Sequence, residues 1–204
     1  MLFACATETH QVVQIESVAT HKTAYSGPKY PLVVGKFANR STYMRGIFSD
    51  GRDRLGSQAK TILKTHLTQT NRFNVADREN MEEIAREAKI SGTEQALMGA
   101  GLVVTGEVTE FGRKAVGDRQ LFGILGHGKK QVAYSKVSLN IVDVRTSKII
   151  YAIQGAGEYA LNNREVLGFG GTAAYDATLT GKVLNFAIMD AVNNLVAGLD
   201  RGEW

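Results

Sequence analysis

The sequence predicts an α+β domain, in which a small sheet packs with helices, and two long hairpin excursions that leave this domain. Short apolar segments between turn-forming residues predict the strands, and longer segments with apolar residues at helical spacing predict the helices. The chain has 204 residues, 44% of them hydrophobic and 22% charged, which is enough for one well-buried core. Neither a second domain nor a tandem repeat is predicted.

Residues 1–30 are polar and mixed, and they predict an extended arm or tether before the compact domain, which spans residues 31–204. Pro31–Phe37 predicts a short buried strand, and a polar loop follows it. Apolar residues at helical spacing then predict a helix; they are Leu55, Ala59, Ile62, Leu63 and Leu67. Arg72–Ala76 predicts a second strand.

Asp77 is the predicted N-cap of a second helix, because an aspartate here precedes a segment of helical periodicity. The apolar side of that helix consists of Met81, Ile84, Ala85 and Ala88. Leu102–Phe111 predicts a third strand, and Lys136–Val144 predicts a fourth strand with a tight turn into Ile149–Ile153.

The last helix has the strongest periodic pattern in the chain. It covers Lys182–Ala197, with a predicted apolar stripe of Leu184, Ile188, Ala191, Val192 and Leu195, and Gly198 is its predicted C-cap. No apolar run reaches 18 residues, so a transmembrane helix is not predicted.

Two segments, residues 110–134 and residues 154–181, predict the hairpin excursions. Apolar and polar residues alternate late in the second one; the apolar ones are Tyr175, Ala177 and Leu179, and the polar ones are Asp176 and Thr178. This alternation predicts a strand with two different faces. Arms of about ten residues are long enough for tilted strands to cross a bilayer, but an ordinary amphipathic hairpin has the same pattern. The first excursion is more charged, which favours the ordinary hairpin.

Charge and motif content argue against nucleic-acid binding and catalysis. The net charge is +4, but lysines and arginines are spread along the chain, so nucleic acid is not a predicted partner. Gly123–Lys130 (GILGHGKK) is close to a phosphate-binding loop, but Lys130 replaces Ser or Thr and a strand follows, which predicts a hairpin tip. The histidines lack metal-ligand spacing, and no serine lies in a nucleophile elbow. We therefore predict no catalytic residue, no metal and no cofactor.

Cys5 is the single cysteine of the chain, which excludes an intrachain disulfide. Its context, Leu-Phe-Ala-Cys, resembles a bacterial lipobox, although Phe3 is atypical and four residues cannot hold a signal peptide. We predict lipidation of Cys5; the alternative is a fortuitous terminal cysteine.

Several segments, taken together and in order, resemble the curli secretion channel family, the CsgG-like outer-membrane lipoproteins. The matching segments are LVVGKFANRST, RFNVADRENMEEIAREAKI, LVVTGEVTEF, LFGILGHGKKQVAYSKVSLNIVDVRTSKII and GLDRGEW. With the spacing between them they cover most of Leu32–Trp204. No single segment is specific, but the ordered set is.

The resemblance implies a periplasmic α+β domain that contributes two β-hairpins per subunit to an oligomeric transmembrane β-barrel. A ring of about nine subunits would close a barrel of about 36 strands. One copy cannot do so, because four strands would leave open edges with unpaired backbone groups in lipid. The implied location is the bacterial outer membrane, with a lipid anchor. The implied partners are outer-membrane lipid, an unfolded secreted protein and a periplasmic accessory factor.

The resemblance also implies roles for individual residues. The loop after the first strand would form the pore constriction, with Tyr43, Phe48, Ser49 and Asp50 as the candidates. The alternative is that both aromatic residues pack under the loop. In the second hairpin, Tyr175, Ala177 and Leu179 would face lipid, and Asp176 and Thr178 would face the lumen. The chain departs from the better-known members in ending directly after GLDRGEW.

These observations predict an oligomeric outer-membrane pore that exports unfolded protein, such as curli-type or other fibre subunits, by diffusion. The rival prediction is a periplasmic lipoprotein of the same fold that forms no pore and acts as an adaptor or activator of an envelope assembly machine. The alternation around Tyr175 favours the pore, and the charges around Arg113 and Lys129 favour the adaptor.

Overall fold

The structure is a computed structural model that describes residues 16–43, 52–117, 129–161 and 172–204. Its elements in chain order are β1 Tyr30–Asn39, α1 Arg54–Gln69, β2 Phe73–Ala76, α2 Met81–Ser91, β3 Leu102–Gly117, β4 Lys129–Asp143, β5 Ile149–Leu161 and α3 Thr172–Asp200. Strands and helices both contribute to one domain, so the predicted α+β class is confirmed.

The strands form one sheet in the order β2-β1-β3-β4-β5. Strand β1 is parallel to both β2 and β3, whereas β3, β4 and β5 are antiparallel. This division follows from the connections: α1 carries the chain between the parallel strands β1 and β2, and a tight turn joins β4 to β5. In that turn the Asp143 N–H donates to the Lys148 carbonyl (2.9 Å).

The core lies between one face of the sheet and helices α1 and α3. Alternate residues of the strands point to this face and are buried, among them Leu32, Val104, Leu139 and Ile141. The apolar stripe of α1 meets them, and the residues predicted from helical spacing on α3 are fully buried: Leu184, Ile188, Ala191, Val192 and Leu195. The predicted stripe of α3 is therefore confirmed.

Helix α3 lies unusually close to the edge strand β5 because two glycines face it. A Cβ atom added to Gly157 would come within 2.7 Å of the Ala187 nitrogen and the Val183 carbonyl oxygen, and Gly155 is equally crowded. Beside them the Ala156 N–H, on the open edge of β5, donates to the Asp190 carboxylate of α3 (3.0 Å). The helix thus covers both a face and part of an edge of the sheet.

Residues 16–29 pack on the domain rather than extending away from it. Val18 is buried in the core, and the neighbouring Ala19 N–H donates to the Asn193 side chain of α3 (2.9 Å). The Asn185 side chain donates to the Glu16 carbonyl (3.3 Å). The folded domain therefore includes residues that the sequence placed in the arm.

The predicted caps of two helices are wrong. Helix α2 begins at Met81, and the Asp77 carboxylate instead accepts hydrogen bonds from the Glu79 N–H (3.0 Å) and the Asn80 side chain (2.5 Å), which makes a turn before the helix. Gly198 lies inside α3, and its carbonyl accepts from the Glu203 N–H (3.0 Å). Gly202, at φ 71°, ends the helix in a left-handed turn.

The excursions differ from each other. In the first, β3 and β4 stay paired from Glu110–Lys136 out to Gly117–Lys129, so the arms of the predicted hairpin are confirmed. In the second, β5 pairs with β4 as far as Leu161, but residues 172–181 belong to α3. A helix satisfies its backbone hydrogen bonds within the segment, whereas a returning strand at this edge would displace the helix that covers β5.

The strand predicted around Tyr175 is therefore wrong for this chain as folded. The side chains of these residues lie outside the described part of the chain, so the assignment of Tyr175, Ala177 and Leu179 to lipid and of Asp176 and Thr178 to the lumen stays a prediction. Among the residues that the structure describes, no helix has the length and apolar character needed to cross a membrane.

Trp204, the only tryptophan, packs across the end of the sheet opposite to the long hairpin. Its ring stacks on Phe73 (centroids 6.2 Å apart) and on Tyr151 (5.7 Å). Glu203 holds the C-terminus in place, because its carboxylate accepts from the Tyr151 hydroxyl (2.8 Å) and the Arg201 guanidinium (2.6 Å). The hydrogen bonds from Arg201 and Tyr151 keep the pKa of the Glu203 carboxyl below its usual range.

We predict that Gly157→Ala destabilises the domain by about 1–3 kcal/mol, because the new methyl group would meet helix backbone that cannot rotate away. Gly99→Ala is the matched control, since nothing lies within 4 Å of its added Cβ, and its effect should stay within about 0.5 kcal/mol. Urea denaturation of both variants measures the difference. Equal effects of the two substitutions would show that α3 does not need the glycine.

We predict that acid releases the C-terminus before the domain unfolds. A lowered folded-state pKa means that Glu203 stabilises the fold above its unfolded-state pKa of about 4.3, and that this contribution is lost as the pH falls through the folded-state pKa. Trp204 emission should shift to the red below about pH 4 while the far-ultraviolet circular dichroism is unchanged. In Glu203→Gln this separate step should be absent; its persistence would assign the step to another group.

Candidate functional site

The domain has two distinct ends. At one end β3, β4 and β5 continue past the last residue of β1, because Asn39 is paired with Val108 and β3 runs on to Gly117. We call this the extension end, and the paired residues 110–117, 129–136 and 156–161 the strand extension. The opposite end carries the turn between β4 and β5 and the C-terminus; we call it the turn end.

One face of the strand extension is charged. Glu110 lies opposite Lys136 in the register, and their side chains form an ion pair (2.8 Å). Lys114 reaches across β4 to Glu158 (2.5 Å). These pairs are exposed and contribute little stability. They show instead that four charged residues share one face of the extension.

The other face of the extension lies toward α3 and is mainly apolar, although it includes the buried Ser135. Phe111 and Ala133 are buried there, and Gly157 contacts the helix backbone. Tyr159 lies under the Lys182 ammonium group of α3, 5.1 Å from the ring centroid. Strand alternation puts Arg113 on this side, where it is exposed. The extension is thus a two-faced sheet whose apolar face is covered by a helix.

The described residues of the loop that follows β1, residues 40–43 and 52–53, also lie at the extension end. Both ends of the loop are tied to Asn39. The Asp53 carboxylate accepts from the Asn39 N–H (2.7 Å) and, as the N-cap of α1, from the Gly56 N–H (2.7 Å). The Asn39 side chain accepts from the Ser41 hydroxyl (2.6 Å) and donates to the Tyr43 carbonyl (2.9 Å).

Of the four predicted constriction residues, the structure describes Tyr43. Tyr43 is half-buried and packs on Phe111, with ring centroids 4.6 Å apart. It therefore lies between the loop and the base of the strand extension. The other three candidates, Phe48, Ser49 and Asp50, lie outside the described residues, as does Cys5. The residues from Tyr175 to Leu179 are in α3, and their side chains are outside the described part of the chain.

Sequence reasoning missed two features of this end. The first is the double role of Asp53, although an aspartate just before the apolar residue Leu55 is a recognisable capping signal. The second is the pairing of charges across the extension, which depends on a register that the sequence does not contain. Within the described ranges no group of three or more potential metal ligands comes together.

The sequence family described as the curli production assembly/transport component CsgG matches residues 13–203. This chain belongs to that family. A protein of Neisseria meningitidis serogroup B, named as a candidate lipoprotein, is 62% identical over 203 residues, which cover 100% of this chain and 91% of the Neisseria protein. Neither name denotes an enzyme.

Solved structures show a similar fold at much lower identity. A protein from Xanthomonas campestris superposes with a TM-score of 0.52 at 8% identity, over 94% of this chain and 97% of its own. A candidate homolog of the neuraminyllactose-binding hemagglutinin from Helicobacter pylori gives 0.50 at 12% identity, over 92% and 94%. At such identities the similarity concerns the fold alone.

We predict that Asp53→Ala loosens the loop after β1 and lowers stability by about 1–2 kcal/mol, because both backbone donors lose their acceptor. Asp53→Ser keeps one oxygen for the helix cap but cannot also reach Asn39, so it should restore much of the stability while the loop stays loose. Urea denaturation reports the cap, and the rate of tryptic cleavage within residues 40–53 reports the loop. If both variants cleave at the wild-type rate, Asp53 does not hold the loop.

Proposed function

We propose that this family member is a lipid-anchored outer-membrane protein whose strand extensions join in a ring and form a pore for unfolded protein. The observation that carries the proposal is the two-faced extension at one end of the domain. Its charged face fits a water-filled lumen, and its small, apolar face fits lipid. No residue performs catalysis in this proposal.

The distribution of charge is what a barrel wall requires. Lysine or arginine on the lipid face costs about 2–4 kcal/mol at mid-depth and about 0–1 kcal/mol near the membrane surface. Glu110, Lys114, Lys136 and Glu158 avoid this cost because they share the other face. Arg113, on the apolar side and about midway along the described extension, would face lipid and bear this cost.

The pore is a property of an assembly, because one chain cannot close a barrel. The extension has three strands in the folded chain, and its open edges would leave backbone groups unpaired in lipid. In the proposal, residues 172–181 leave α3 and supply the fourth strand, so that a ring of about nine copies provides about 36 strands. The residues of α3 that pack on Gly157, from Val183 to Ala187, stay in the helix in this proposal.

The position of the N-terminal segment supports a lipid anchor on the same side. Glu16 contacts Asn185, in the half of α3 that lies against Gly157, so the chain before Glu16 leaves near the extension end. The eleven Cα–Cα steps from Cys5 to Glu16 can span at most roughly 36–40 Å. A lipid on Cys5 would therefore hold the extension end against the membrane.

The loop after β1 is the proposed constriction. It leaves the domain at the extension end between Asn39 and Asp53, so a ring of copies would place Phe48, Ser49 and Asp50 around one axis, with Tyr43 supporting them from below. A ring of aspartates would favour cations. The proposed substrate is an extended, unfolded secreted chain, such as a fibre subunit, delivered with a periplasmic accessory factor.

A second candidate function is favoured by the helical state of residues 172–181. As folded, α3 covers the apolar face of the extension, and such a domain is self-sufficient without a membrane. In this alternative the chain is a periplasmic lipoprotein that forms no pore and acts as an adaptor or activator of envelope assembly.

We predict that the full-length protein, extracted in detergent and placed in a planar bilayer, conducts ions, and that Lys114→Gln shifts its reversal potential toward cation selectivity. The reason is that one positive charge is removed from the lumen in every subunit. Asp50→Asn should shift the reversal potential the other way.

The matched control is Lys22→Gln, which removes an equally exposed positive charge from the N-terminal segment and should leave selectivity unchanged. Monomers without conductance would reject the pore and support the adaptor. If Lys114→Gln and Lys22→Gln change the reversal potential equally, the protein forms a pore but the strand extension does not line it.

A further inference from the structure

Among the described residues, the exposed large apolar side chains fall into two groups. The first lies on α2 and the segment after it, and consists of Ile84, Ile90, Leu97 and Met98. The second flanks the turn between β4 and β5, and consists of Val144, Ile149 and Ile150. We call residues 81–98 the helix patch and residues 144–150 the turn patch.

Helix α2 projects from the domain although it is well formed. None of its residues is buried, and Ile90 is 72% exposed. The residues before and after α2 lie close together at the surface of the domain, because the Arg78 guanidinium donates to the Met98 carbonyl (2.5 Å). Lys60 and Lys64 of α1 hold the adjacent Glu79. An ordered helix with isoleucines in water is expected to bury them against another surface.

The turn patch is equally ordered. The Asp143 carboxylate accepts from the Thr146 N–H (2.7 Å) and hydroxyl (2.6 Å), and the Val144 N–H donates to the Gly101 carbonyl (3.0 Å). Ile149 is nevertheless 60% exposed. The turn therefore presents apolar side chains on a fixed backbone.

Helix α2 and the turn patch adjoin opposite edges of the sheet, whereas Leu97 and Met98 lead into the central strand β3, next to which the Gly101 carbonyl accepts from the Val144 N–H of the turn. The chain enters α2 from β2, which is one edge strand, and the turn patch leads into β5, which is the other. Four inter-strand steps separate these edges, about 19 Å. Copies placed side by side in one orientation would bring the helix patch of one against the turn patch of the next. Such a head-to-tail contact closes into a ring when its rotation permits.

The charges of the two patches are complementary. The helix patch contains four carboxylates (Glu82, Glu83, Glu87 and Glu94) and two cations (Arg86 and Lys89), a net charge of −2. The turn patch contains Arg145 and Lys148 and no acid, a net charge of +2. Opposite net charges favour the contact between unlike patches and disfavour the contact between like patches.

The segments of the chain outside the described residues join the domain away from the turn patch. Residues 1–15 join at Glu16, and residues 44–51 join between Tyr43 and Arg52. Residues 118–128 and 162–171 continue from the far ends of the extension strands. All four junctions lie toward the extension end, whereas the turn patch is at the turn end. A second copy of the chain is thus the occupant that the surface fits.

We propose that the helix patch of one copy packs on the turn patch of the next and forms the head-to-tail interface of the ring. This inference rests on the ring of the proposed function and names the surfaces that build it. It does not depend on whether the ring conducts.

The test uses two full-length variants in detergent, with mass photometry as the measurement. The helix variant carries Ile90→Ser and Glu87→Lys, and the turn variant carries Ile149→Ser and Arg145→Glu. Each should be monomeric alone, because every contact between copies contains one damaged patch. Mixed in equal amounts, they should form a dimer of one helix variant and one turn variant, which cannot grow.

The control Lys22→Glu changes an exposed charge away from both patches and should assemble like the wild type. Ile90→Ser alone should weaken assembly about tenfold or more, the scale of one lost isoleucine contact. If each double variant still forms rings, the proposed interface is wrong, while the proposal that the protein forms a ring stands. Dimers of the turn variant alone would overturn it in favour of a helix-to-helix contact. A monomeric wild type would reject both the interface and the ring.

Discussion

Helix α3 lies directly against strand β5 because Gly155 and Gly157 leave no side chain between them. This contact closes the core, covers the apolar face of the strand extension and protects part of the β5 edge through the bond from Ala156 to Asp190. The N-terminal segment is tied to the same helix by Asn185 and Asn193. The N-terminal segment, the extension and the core therefore all depend on where α3 lies.

The position of α3 also distinguishes the two proposed functions, the pore and the adaptor that forms no pore. While α3 packs on Gly157, the described residues present no exposed large apolar side chain at the extension end. In the proposed pore residues 172–181 leave the helix, whereas Val183 and Ala187 still pack on Gly157. The free energy for that change has to come from lipid contact and from strand pairing between neighbouring copies, because an isolated chain gains neither.

Much of the fold could be predicted from the sequence because its periodic patterns are strong. The stripe of Leu184, Ile188 and Leu195 predicts α3, and the alternation around Leu139 and Ile141 predicts β4. The failures have a common physical cause. The alternation of Tyr175, Ala177 and Leu179 indicates a strand, but residues 172–181 continue α3, because tertiary context overrides the local pattern here. Asp77 and Gly198 are good capping residues, but the turns around them place the helix ends three and four residues later.

The candidate site was harder to predict than the fold because it depends on register and on contacts between copies. The family resemblance predicts a role for the loop after β1. It does not predict the two hydrogen bonds that Asp53 accepts, because these depend on the positions of Asn39 and Gly56 in the folded chain. Electron cryomicroscopy of the full-length protein extracted in detergent tests the central claim most directly. The account predicts rings in which residues 110–117 and 129–136 cross the detergent belt as β-strands, with residues 172–181 paired beside them. Monomers or rings in which residues 172–181 remain helical on β5 would contradict it.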